Sequence, residues 1–296
     1  MDSGTATRTA GRTGQGRRGR FPIGLLFAAP ALLLPGTARG EGNITAYTNH
    51  DGDLIVLGDS QSNGVFVGRT GEANEYLVEG LDRGSGPTTV NGLESEILIA
   101  VGEHIRIVLN DGDDRLHFDG QHPGSVTVDG GRGNDWIGIG DPVISEYLEI
   151  DGGPGDDLVD IQDSLVEGDL FVRTGQGADQ IVFFFAALHG NTLLDTGPGV
   201  DDLSVDSSIF SGSLFIETGG DADEVTLFDL VIGNELEARL GPGDDLFEIT
   251  EVSIGGKVRC DGGAGDDTYS DGGGNNFGGG NPQIRRFESI LTEPEL

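Results

Sequence analysis

The chain has 296 residues, 53 of them glycine, with single cysteine, methionine and tryptophan residues, a composition that excludes a disulfide framework and demands frequent turns. Six arginines and one acid lie in the first 40 residues of a chain holding 17 basic and 51 acidic side chains, so the remainder carries about −39. Such a field repels nucleic acid and anionic lipid and attracts cations, calcium foremost.

Residues 1–40 read as a secretory signal: Arg17, Arg18 and Arg20, then an apolar stretch from Ile23 to Leu34, then Ala38-Arg39-Gly40 at the position of a cleavage site. The stretch is shorter than the roughly 20 apolar residues of a membrane span and contains Pro30, and no later segment could cross a bilayer. The expected location is secreted, extracellular or on the cell surface, with the periplasm as an alternative.

Residues 41–109 are irregular but use inward pairs of strand type: Leu54/Val56, Val65/Val67, Ile97/Ile99 and Ile105/Ile107. They are expected to form the less regular N-terminal coils and cap of the repeat that begins at residue 110.

Residues 110–281 carry a period. An aspartate that follows a glycine-rich turn recurs as Asp114, Asp135, Asp157, Asp179, Asp201, Asp223, Asp245 and Asp267, with a first step of 21 residues and then six of 22. Two and four places after each stand apolar residues such as Val159 and Ile161, nine places after stands another such as Val166, and a third pair such as Leu170/Val172 completes the unit. Alternation with period two marks strands with one apolar face. Three short strands and three turns per 22 residues describe a coil that buries its apolar face only by stacking on copies of itself. The fold class is therefore all-β, a single-stranded parallel β-helix or solenoid. Its three uneven strands resemble right-handed β-helices, and six-residue repeats of the left-handed kind are absent. Residues 282–296, with Ile284, Phe287 and Ile290, are expected to cap the last coil. Cys260 falls on an inward position, which predicts an inert buried thiol.

The fullest turns are Gly130-Gly131-Arg132-Gly133-Asn134-Asp135, Gly152-Gly153-Pro154-Gly155-Asp156-Asp157 and Gly262-Gly263-Ala264-Gly265-Asp266-Asp267. They match the G-G-x-G-x-D pattern of calcium-binding nonapeptides, so the segment from about 110 to 277 resembles the hemolysin-type, or RTX, repeat family. The resemblance implies Ca²⁺ bound by the eight aspartates together with carbonyls of loops built on Gly131, Gly133, Gly153, Gly155, Gly263 and Gly265. The chain departs from that family in carrying one loop per coil, in replacing the first glycine by Thr174, Thr196, Thr218 or Leu240, in placing Asn110 for the second glycine and Asp221 for the third, and in its N-terminal signal. The family's toxin and protease activities do not carry over. An independent physical argument also favours cations: carboxylates about 4.8 Å apart repel by roughly 3 to 4 kcal/mol per pair at an effective dielectric near 20. The competing reading is that each aspartate closes a turn by hydrogen bonding to backbone.

Phe171, Leu193 and Phe215 are outward positions spaced by 22 and should stack into an exposed apolar ladder that could dock a partner, a surface polysaccharide or another protein. Trp136 could stack on a sugar. The five histidines lack zinc spacing, and no nucleophile sits in a recognisable elbow or triad. Lys257 is the only lysine, and the unbroken spacing from Asp135 to Asp267 leaves no insertion to wall a cleft. The function expected is a secreted, calcium-binding structural, surface or adhesion protein without enzymatic activity. The alternatives are a uronate-polymer lyase on a β-helix scaffold and an ion-independent interaction scaffold.

Overall fold

The computed structural model describes residues 42–82 and 88–292, and the proposed signal lies outside them. The described residues are all β, with no helix, wound as a parallel solenoid of 22-residue coils. One coil sets the pattern: Leu158–Gln162, Leu165–Val166 and Leu170–Gln176 form its three strands. Each pairs in parallel with residues 22 positions on, Val159 with Ile181, Val166 with Leu188 and Val172 with Leu194.

The alternation read from the sequence is what the winding uses. Val159, Ile161, Val166, Leu170 and Val172 are all fully buried, while Asp160 and Phe171, the residues alternating with them inside the strands, face outward. Each such side chain stabilises the coil by about 1.5–3 kcal/mol on burial. Coil upon coil, the inward residues join one continuous core. Cys260 belongs to it at 1 % exposure, and burial pushes its thiol up to about 12, so it is unreactive at neutral pH.

The turn from first to second strand is unexpectedly uniform. Asp141, Asp163, Phe185, Ser207, Asp229 and Glu251, one per coil, all take positive φ between 48° and 56°. Three of the six are aspartate, which tolerates the left-handed region better than most residues, whereas Phe185, Ser207 and Glu251 take it because the periodic register places a left-handed residue there.

Two expectations need correction at the N-terminal end. The inward pairs Leu54/Val56, Val65/Val67 and Ile105/Ile107 are buried, but Ile97 and Ile99 are 58 % and 56 % exposed. Their strand, Ser95–Ile99, pairs antiparallel with Glu75–Gly80, which pairs antiparallel with Gly64–Arg69. Only the last of these three runs parallel with the regular coils, Val65 opposite Leu116. The described residues 70–82 and 88–99 are thus a folded-back insertion that breaks the period rather than further windings. Its attachment combines core burial of Tyr76 and Val78 with a polar link: Tyr76 donates its hydroxyl to His122 Nδ1 at 2.7 Å, and His122 Nε2 donates to the Glu103 carbonyl.

At the other end Gln283–Arg285 and Ser289–Thr292 continue the parallel pairing onto Arg259–Asp261 and Thr268–Asp271. The segment expected as a cap is a further partial coil. Ile284 and Phe287 pack on the core, while Ile290 is 58 % exposed.

Candidate functional site: a buried aspartate column

The eight periodic aspartates do stack, and they stack inside. Each is at most 3 % exposed. The backbone N–H of Asp135 donates to Asp157 Oδ1 at 2.8 Å, that of Asp157 to Asp179 at 2.7 Å, and so on through Asp179 to Asp201, Asp201 to Asp223, Asp223 to Asp245 and Asp245 to Asp267. Asp114 joins the same chain through Asp135. Each carboxylate therefore ties the coil before it rather than its own turn.

Two members of this column had no periodic signal. Asn63 donates its N–H to Asp114 Oδ1 from 51 residues away, because the folded-back insertion lies between them. Glu288 closes the far end, accepting the Asp267 N–H at 2.8 Å on its longer side chain. A backbone amide opposite a carboxylate is the recurring unit, and it could have been found only by aligning Asn63 and Glu288 to the frame through their neighbours.

A second column lies outside the first and runs the other way. The N–H of Asn134 donates to Asp113, that of Asp156 to Asn134, and that of Ala178 to Asp156, each side chain serving the coil after it. Asp266 N–H donates to Asp244 in the same sense. In the intervening coils the position is Ala178, Val200 or Ala222, which have no acceptor to offer.

What lies above the second carboxylate oxygen divides the turns into three kinds. At the glycine turns it is a gap: a Cβ on Gly152 would stand 2.5 Å from Asp157 Oδ2 and 2.9 Å from the Thr174 carbonyl, and one on Gly130 would stand 2.7 Å from Asp135 Oδ2 and 2.6 Å from the Gly152 carbonyl. Gly262 faces Asp267 Oδ2 and the Arg286 carbonyl in the same way. At the threonine turns the gap is filled, since the hydroxyls of Thr174, Thr196 and Thr218 lie beside Asp179, Asp201 and Asp223 and donate to the carbonyl of the equivalent residue in the next coil. At Asp245 the fully buried Leu240 takes that position. Oδ2 accepts no hydrogen bond at Asp157, Asp179, Asp201, Asp223, Asp245 or Asp267, so the turns differ in what fills the space beside that oxygen and not in whether it is bonded.

The glycines singled out in the sequence have a backbone reason to be there. Gly153 and Gly155 take φ of 101° and 148°, and a Cβ on either would collide with the carbonyl of Gly131 or Gly133 one coil below. Asn110 and Asp221, standing in for glycine, also adopt positive φ, 73° and 79°, which these two side chains tolerate better than most.

The electrostatics follow from burial. Desolvation pushes the Asp157 carboxyl up to about 8, Asp223 to about 7, and Asp179 and Asp245 to about 6. The donated amide of the preceding aspartate opposes this in each case, and neighbouring carboxylates reinforce it. Asp201 and Asp267 are raised for the same leading reason. Where threonine stands beside the carboxyl its hydroxyl holds the rise down.

The outward ladder lies where the period puts it. Phe171, Leu193 and Phe215 are opposite one another on adjacent third strands, half-buried, along a depression of about 280 Å³. Trp136 stands on another face in a row with Phe66 and His117, their planes within 18° of parallel, and the Arg115 guanidinium lies 4.5 Å from its centroid. A neighbouring side chain thus already covers one indole face.

These features define a class, the parallel β-solenoid with an internal carboxyl column. No known family model, curated protein or solved structure matches the chain.

Proposed function

We propose that this is an exported, non-enzymatic β-solenoid of the cell surface or extracellular matrix that takes up calcium at its glycine turns. The observation that supports it is the cradle at Gly152 and Gly262, where a buried carboxylate oxygen without a hydrogen bond and a carbonyl of the next coil face one small gap. The donors are all hard oxygens, as Ca²⁺ requires. Asp157 and Asp267 would hold the ion with those carbonyls, and Asp135 would do so in the turn of Gly130. Bound calcium would supply the positive charge that the column lacks.

The threonine and leucine turns have the cradle occupied, which assigns Asp179, Asp201, Asp223, Asp245 and Asp114 to holding coils together. Every aspartate of the column keeps its inter-coil hydrogen bond through Oδ1, and the metal reading adds a role for Oδ2 at the glycine turns. Ligands must be deprotonated to bind a metal, so uptake should strengthen as pH rises toward and past about 8, the value of Asp157.

The test is thermal melting of the purified protein in millimolar calcium and in chelator. Binding to the folded state alone should raise the melting temperature, since calcium at about 100 times its Kd adds roughly 2.7 kcal/mol. Asp157→Asn should reduce that increment and Asp201→Asn should leave it intact. Identical melting with and without calcium would end the proposal.

A further inference from the structure

The face carrying Phe171, Leu193 and Phe215 has a chemistry of its own. Along the outward column of the third strands the sequence runs Glu149, Phe171, Leu193, Phe215, Glu237, so an apolar centre is bracketed by acids. The parallel column beside it runs Asp151, Arg173, Asp195, Glu217, Arg239. Both arginines are taken: Arg173 lies 3.2 Å from Glu149, and Arg239 pairs with Glu217 and Glu237. Asp169 forms the opposite lip of the groove. Asp195 remains beside Glu217 with no ion pair among the described residues, and its carboxyl is raised by burial and then by that neighbour.

We propose that this groove binds an extended, basic segment of another protein, apolar side chains seated on Phe171, Leu193 and Phe215 and lysine or arginine heads against Asp169 on one lip and Asp195 and Glu217 on the other. The volume, about 280 Å³, falls just below the roughly 300–1,000 Å³ of sites that enclose a small molecule and suits individual side chains. The three rungs, about 4.8 Å apart, span about 10 Å along the rod, and alternate side chains of an extended strand are about 6.8 Å apart, so two of them fit along the ladder. Charge selects the partner: a second copy would bring the same excess of about 39 negative charges over residues 41–296, and an anionic membrane would be repelled likewise.

The probe is a fluorescent synthetic peptide alternating leucine and lysine, compared by anisotropy with one of equal charge alternating serine and lysine. The intact protein should bind the leucine peptide about tenfold more tightly, the difference being the apolar contact rather than the field. Phe171→Ser with Phe215→Ser should bring the two peptides to equal affinity, whereas Ile209→Ser with Val231→Ser, on an equally apolar but separate column, should leave the preference intact. Leu193→Lys, which changes charge rather than volume, should weaken both peptides and serves if the double variant fails to fold. Equal affinity of the intact protein for the two peptides, or equal behaviour of both double variants, would overturn the proposal. So would sedimentation as a dimer that the Phe171 and Phe215 changes dissolve, because the groove would then belong to a second copy. None of these readouts depends on calcium.

Discussion

Thr192 occupies an inward position with its hydroxyl buried and without a hydrogen bond, although its place in the period calls for an aliphatic residue. Thr192→Val keeps the shape and removes the stranded polar group, so it should stabilise the protein by about 1 kcal/mol, measured by denaturant unfolding. Phe185 is strained in the opposite manner. It holds φ of 54° while 53 % exposed, where its only ring contact among the described residues is the neighbouring Phe184. Phe185→Asn should gain up to about 1 kcal/mol, because asparagine tolerates the left-handed conformation that costs a bulky residue about that much. Neither position could be recognised from the sequence alone. The spacing placed Thr192 inward but could not reveal that its hydroxyl would lack a partner, and although Asp141 and Asp163 suit a positive φ, nothing in the residue type of Phe185 signals that it shares one. The aspartates were a different case. Their period was plain, and so was the glycine content of their turns, but their direction of bonding depended on whether Oδ1 would meet its own turn or the coil before.

Among the elements, the regular coils and the folded-back insertion respond oppositely to acid. A carboxyl whose value is raised in the folded state favours folding below its ordinary range near 4 and loses that contribution as pH rises through the raised value. For Asp179, Asp245, Asp223 and Asp157 the loss begins above the ordinary value near 4 and is complete once pH passes the raised values of about 6 to about 8. In chelator, amide exchange in the coils should therefore slow as pH is lowered from 8 toward 5, after correction for the intrinsic rate. The insertion is held by His122, whose value burial lowers, so its contribution is present above the ordinary histidine range near 6.5 and lost as pH falls through the lowered value. Protonation also removes the acceptor for Tyr76. Residues 75–80 should lose protection first on acidification, and Tyr76→Phe should cost about 1 kcal/mol by leaving His122 Nδ1 unmet. The irregularity of residues 41–109 was visible as a broken period, but Ile97/Ile99 and Ile105/Ile107 look alike as pairs. Only strand direction separates them, and direction is set by tertiary pairing that a local pattern does not encode.

For the whole molecule, the 22-residue period was enough to give the architecture because one rule, inward residues stacked on inward residues, is applied at every step. The ends obey the rule imperfectly, and there the local pattern misleads. Removing residues 282–296 should be more damaging than their modest burial suggests. It deletes Glu288, strands the Asp267 amide and uncovers Tyr269, whose ring packs against Phe287. A drop in melting temperature larger than that of Ile290→Ser would bear this out. The opposed sense of the two side-chain columns gives the rod a direction of assembly. An inner amide is left unmet until the following coil arrives with its carboxylate, so a polypeptide emerging from its N-terminus completes each winding one step late. Zippering is thereby driven toward the C-terminus, with Glu288 as the stop.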